Sequence, residues 1–106
     1  MRVDSEILRL SQLLDERVDE YSSLAVAAAE AEAAYRIAYA RCYLSTEGTV
    51  SAREQRSVLE CSDKLTERLL AEGVRDSCQE SMRSIRAQLS ALQTLAANER
   101  AALSVA

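Results

Sequence analysis

Ser45-Thr46-Glu47-Gly48-Thr49-Val50, near the middle of the 106-residue chain, is the stretch on which the fold turns. It holds one of the two glycines, and the chain has no proline. Gly48 suits the left-handed C′ position that closes a helix. Ser51-Ala52-Arg53-Glu54 follows at once and reads S-x-x-E, a capping box that opens a second helix. The spacing therefore predicts a turn over 45–51 with a helix on either side.

Toward the N-terminus nothing breaks a helix between Ser5 and Leu44. Asp4 or Ser5 can cap its start by accepting free N–H groups of the first turn. Ile7, Leu10, Leu14, Val18, Tyr21, Ala25 and Ala28 keep the three-four spacing of a buried seam. From Ala25 to Ala40 nine of sixteen residues are alanine, the best helix former, whose small side chain lets a neighbouring helix come close. The predicted helix, 5–44, is roughly 60 Å long at 1.5 Å per residue.

Toward the C-terminus the helical pattern runs over 52–103. At 100° per residue, the stripe Val58, Cys61, Leu65 and Leu69 is rotated by roughly 165° from the stripe Val74, Cys78, Met82, Ile85, Leu89 and Leu92. Supercoiling accounts for about half of that. Either the helix bends near Gly73, or its halves bury against different neighbours. Two helices alone enclose little core. The expectation is an all-α fold: one helical domain, 1–106, forming a long hairpin that assembles into a helical homo-oligomer larger than a dimer. The second arm is the longer, so the residues after about Gln93, including Leu95, Ala96 and Leu103, overhang as an apolar surface that asks for a partner. Met82, Ile85, Leu89, Leu92 and Leu95 are the expected oligomer interface.

Strand-rich folds need the glycine and proline turn chemistry that this chain lacks. The absence of histidine removes the usual Ser-His and Cys-His catalytic pairs and the commonest metal ligand. A non-enzymatic protein with no cofactor and no metal is expected. Cys42, Cys61 and Cys78 form an odd set without a CxxC pair. In a hairpin centred on Gly48, Cys42 faces Glu54 and Cys61 faces Tyr35, so no two cysteines are expected to meet. They read as small buried apolar residues.

The net charge of −4 lies wholly in the first 50 residues, with five basic and nine acidic side chains; the remainder carries eight of each. The longest uncharged run, Ala87 to Asn98, has twelve residues, short of the roughly 20 a membrane span needs. The N-terminus lacks the apolar core of a secretory signal. These features predict a cytoplasmic address.

Charge geometry offers two candidate surfaces. On the second helix Arg53, Lys64, Arg68, Arg75, Arg83, Arg86 and Arg100 share an arc of about 120°, which includes only Glu54 and Glu72 among the acids. Such a line of cations suits phosphate tracking; the alternative is a solvated face laced with i,i+4 ion pairs. On the first helix all four tyrosines, Tyr21, Tyr35, Tyr39 and Tyr43, lie within about 80°. Arg36 sits beside that arc and Arg41 on another face. Tyrosines with nearby cations can stack nucleobases, or they can line the hairpin core with hydroxyls at its edge. The acidic group Asp15, Glu16, Asp19, Glu20, Glu30 and Glu32 has no histidine or glycine-rich loop beside it and reads as a solvated face or a surface for a basic partner.

Three segments together carry a resemblance: Ala33-Ala34-Tyr35-Arg36-Ile37-Ala38-Tyr39-Ala40-Arg41, Glu47-Gly48-Thr49-Val50-Ser51-Ala52-Arg53, and Met82-Arg83-Ser84-Ile85-Arg86-Ala87-Gln88-Leu89-Ser90-Ala91-Leu92-Gln93. Their order over Tyr21 to Leu103 resembles the UvsY-type recombination mediators of tailed bacteriophages. The resemblance implies a ring-like homo-oligomer that binds single-stranded DNA. It also implies two protein partners, a recombinase that the mediator helps to load and a single-strand-binding protein. The address would be the host cytoplasm. Arg36, Arg41 and Arg53 fall where the family's loop-proximal basic motif lies, and Arg83 and Arg86 match the arginines of its C-terminal helix. The net charge of −4 departs from a strongly basic mediator. The alternative function is a structural coiled-coil adaptor acting only through protein–protein contacts.

Overall fold

The computed structural model describes residues 2–105 and is all-α. Three helices follow in order: α1 (Val3–Ser45), α2 (Val50–Glu60) and α3 (Ser62–Val105). Among the described residues there is no strand, as expected for a chain with so little turn chemistry.

The turn is tighter than 45–51. The Ser45 and Thr46 hydroxyls donate to the carbonyl of Cys42, at 3.1 and 2.7 Å, and so satisfy the end of α1. Gly48 then takes φ +120°, a conformation that L side chains rarely adopt. Thr49, in extended backbone, caps α2 by accepting from the Ala52 N–H at 3.1 Å. The cap is thus two residues before the predicted Ser51 box. Both hydroxyls have the right chemistry, but the reversal at Gly48 delivers Thr49 first.

The second arm is interrupted at Cys61 (φ −102°, ψ 15°), not at Gly73. Ser57 is fully buried and its hydroxyl donates back to the Arg53 carbonyl at 2.8 Å. Through Gly73, α3 runs unbroken. Of the first stripe only Cys61 is buried, with Val58 and Leu69 43% and 58% exposed; of the second, Cys78, Met82 and Ile85 are buried and Val74 is 51% exposed.

The chain divides into two compact units. One takes its described residues from Met1–Ser22 and Ser77–Ala106. Its core is Leu10, Cys78, Met82, Ile85 and Ala96. Arg17 Nε donates to Ser81 Oγ at 3.3 Å, and the Cys78 thiol donates to the Arg17 carbonyl at 3.5 Å. These contacts set the antiparallel register of the two arms. Met82 and Ile85 are therefore engaged within the subunit; Leu89 and Leu92 are half-buried and Leu95 is exposed. Val18, expected in the seam, is exposed. Burial of Ala96 moves the start of the overhang from Gln93 to Ala97, after which every described residue is exposed.

The other unit is Ser23–Asp76. Ala28, Ser57 and Cys61 are buried in it, flanked by half-buried Leu24, Ala31, Tyr35, Ala38, Tyr39 and Cys42 on α1. Contrary to the hairpin arithmetic, Cys42 and Cys61 line one groove, with Ala38, Thr46, Arg56 and Glu60. Cys61 sits at the helix break, which brings its side chain toward the later turn of α1. All three cysteines are free.

Candidate nucleic-acid interface

The four-residue spacing of Tyr35, Tyr39 and Tyr43 places three rings about one helical turn apart on α1. Their centroids are 6.0 Å apart between Tyr35 and Tyr39, and 6.4 Å between Tyr39 and Tyr43, where the planes differ by only 17°. The second arm supplies a guanidinium to each end of this column. Arg68 lies 5.6 Å from the Tyr35 ring centre and Arg53 lies 5.5 Å from that of Tyr43. Both distances are within cation–π range.

Each gap between neighbouring rings opens into a groove. One is lined by Tyr35, Arg36, Tyr39, Val58 and Arg68, and the next by Tyr39, Ala40, Tyr43, Leu44 and Glu54. The first has two cations at its mouth and the second a carboxylate. Burial pushes the Tyr39 hydroxyl above its ordinary value, and the Glu54 carboxylate adds to that shift. Tyr39 therefore stays a neutral donor well into the alkaline range. Burial likewise raises the Cys61 thiol, with smaller contributions from Cys42 and Glu60, which leaves it protonated and a poor nucleophile.

The arginines expected at the site fall into two groups. Arg36, Arg41 and Arg53 belong to the unit that holds the tyrosines, and Arg83 and Arg86 to the other. Arg36 is exposed and pairs with Glu32 at 3.0 Å. Arg53 is half-buried against Tyr43, and its Nε is buried without a hydrogen-bond acceptor. Arg41 and Arg86 are exposed and make no ion pair among the described residues. Arg83 pairs with Glu80 one turn before it. The residue missing from the predicted set is Arg68, which contacts Glu32 at 3.8 Å and Glu72 at 3.5 Å as well as Tyr35. Its place on the basic arc was the available signal; the hairpin arithmetic set Cys61, not Arg68, opposite Tyr35.

Among the described residues no group of three or more Cys, Asp or Glu side chains is placed to hold a metal ion. Among the described residues no helix is long and apolar enough to cross a membrane. No family model matches the chain, and no curated protein or solved structure is significantly similar to it.

Proposed function

We propose that this protein is a non-enzymatic, self-associating accessory factor of DNA recombination that holds single-stranded DNA and assists the loading of a recombinase. The observation that carries the reading is the column of Tyr35, Tyr39 and Tyr43 with Arg68 and Arg53 against its ends. Every base has a π-face, so an aromatic column with cations beside it binds strands with little regard to sequence. Arg36 adds a phosphate contact beside the column, and Arg41 one on another face of the same helix. Arg83 and Arg86 add them on a stretch, Ser81 to Asn98, that has no acid. Self-association repeats these modest sites along one strand and raises avidity without new contacts.

The test is a fluorescence titration of a labelled oligonucleotide at several salt concentrations. Affinity should fall steeply with salt as phosphate neutralisation releases counterions. Tyr39→Ala should cost about 1–3 kcal/mol, the worth of one stacked base. Arg83→Ala with Arg86→Ala should weaken binding evenly across sequences and flatten the salt slope. Absence of binding by the wild type at low salt overturns the reading.

The second reading, an adaptor acting only through protein contacts, has its own support. Arg36, Arg68 and Arg83 already face carboxylates. Large apolar side chains such as Ile37, Leu59, Leu70 and Leu103 are more than half exposed.

A further inference from the structure

The outward side of α1 carries a second apolar line, on the far side of the helix from Ala28, Tyr35 and Cys42. Val26, Ala29, Ala33, Ile37, Ala40 and Leu44 recur at steps of three and four and are all exposed. Val26, Ile37 and Leu44 are 57%, 53% and 79% exposed. Extended back to Ser22, the line covers six near-turns and drifts by only about 40° at 100° per residue. It carries no charge, and within the subunit nothing covers it.

We propose that this face binds the same face of a second copy, antiparallel, about a two-fold axis at Ala33. It rests on the self-association part of the reading above; it shares Arg36, Arg41 and the Ala40 and Leu44 wall of the second groove with the nucleic-acid part. An isologous contact must be self-complementary, and this line is. Residues equally far from Ala33 meet: Val26 opposite Ala40, Ala29 opposite Ile37, Ser22 opposite Leu44, and Ala33 opposite itself. Every large side chain faces a small one, so knobs meet holes along the whole line.

The charged edges agree. Helix symmetry puts Glu32 and Arg36 on one edge of the line, and Glu30 and Arg41 on the other. In an antiparallel pair, like edges adjoin. Along the first edge the two Glu32 carboxylates adjoin, offset by about 3 Å, and an Arg36 flanks them on either side, each offset by about 3 Å from the other copy's Glu32. On the opposite edge Arg41 lies within about 7.5 Å of the second copy's Glu30. Both offsets are within reach of a guanidinium. Arg36 and Glu32 already pair within the subunit at 3.0 Å, and the two copies would join these pairs into one network. Arg41, with no ion pair of its own, gains one. A parallel pair would instead stack Val26, Ile37 and Leu44 on themselves, leave gaps at the alanines and bring Glu30 toward Glu32.

The experiment is multi-angle light scattering of the full chain at micromolar concentration, with three substitutions on the line. Wild type should give a multiple of the subunit mass. Ala33→Glu places two carboxylates face to face on the axis, where neither has a partner. It should weaken self-association by about tenfold or more while leaving the helical circular dichroism unchanged, since Glu is a good helix former. Under mild oxidation Ala33→Cys should cross-link two copies, because that position meets itself. Leu44→Cys should not, because it meets Ser22. Wild type serves as the control for the native thiols. A wild-type mass of one subunit overturns the face and the self-association on which it rests. An Ala33→Glu variant with the wild-type mass overturns the face alone. Equal cross-linking at Ala33 and Leu44 overturns the antiparallel arrangement.

Discussion

Leu10 is the largest side chain that the fold buries fully, at 2% exposure, and Leu10→Ala should be the most damaging conservative truncation in the unit formed by the chain's two ends. The substitution removes three carbons. At about 0.8 kcal/mol per buried methylene the transfer loss is about 2.5 kcal/mol. The further cavity cost should be small, because a two-helix layer lets neighbours and solvent relax into the gap, which places the variant at the low end of the range of about 2–5 kcal/mol for Leu→Ala. At roughly 4–8 °C per kcal/mol for a domain of this size, the midpoint should fall by about 10–20 °C. Val18→Ala is the internal control: next to Arg17, which contacts Ser81, but 44% exposed, it should lose only about 0.5 kcal/mol. The assay is urea unfolding followed by circular dichroism, with every variant at one protein concentration, because self-association raises apparent stability by mass action. If Leu10→Ala costs no more than Val18→Ala, the start of α1 is not held where the structure puts it.

Gly73 sits mid-helix with nothing within 4 Å of a built Cβ, so Gly73→Ala should stabilise by about 0.5–1 kcal/mol in the same urea series. Thr49→Ala should cost about 1 kcal/mol and Ser51→Ala almost nothing, which distinguishes the observed cap from the sequence-level capping box. Tyr39, raised chiefly by burial and then by Glu54, should ionise above the ordinary tyrosine range in an ultraviolet phenolate titration that compares wild type with Tyr39→Phe. The unfolded chain ionises its tyrosines near pH 10. The preference for neutral Tyr39 in the fold therefore adds stability below that pH and loses it as pH rises from about 10 through the higher folded value.

The hairpin was legible because its determinants are local. Gly48 and the hydroxyls on either side of it are the only turn chemistry in the chain, and the alanine-rich arm has no competing conformation. What local reading missed depends on the opposing arm. Ser51 and Thr49 are equivalent as caps until the geometry at Gly48 is known. Cys61 looks like an ordinary seam residue, and the back-bond of the buried Ser57 one turn before it has counterparts at Thr66 and Thr94 that leave α3 unbroken, so no local signal marks the interruption. The basic arc over the whole second arm assumed one unbroken helix, and the interruption at Cys61 separates Arg53 from the rest of that wheel. Met82 and Ile85 were read as a surface for other copies because a two-helix hairpin was expected to leave them open; within their unit they are buried, as Leu10 is. The tyrosine arc was visible, but not that Arg53 and Arg68 would lie on its ends, since that requires the register between arms.

The choice between a strand-binding factor and a protein adaptor turns on the tyrosines more than on the arginines. Exposed ion pairs such as Arg36–Glu32 and Arg83–Glu80 are worth only about 0–1 kcal/mol, so a phosphate can displace the carboxylate at little cost. These pairs lower the field that attracts DNA, but they do not remove the arginines from use. Conversely, loss of binding on neutralising arginines would follow for any weakly basic surface and would say little about this one. Stacking is the contribution a bare cation patch does not make. Because Tyr39 borders both grooves, Tyr39→Ala widens each of them while leaving every charge in place. Tyr39→Phe keeps the ring and removes only the hydroxyl. A strand held by stacking should therefore bind Tyr39→Phe nearly as the wild type and Tyr39→Ala about tenfold or more weakly, with the salt slope the same in all three. If all three bind alike, the column is a packing feature of the hairpin and the adaptor reading gains accordingly.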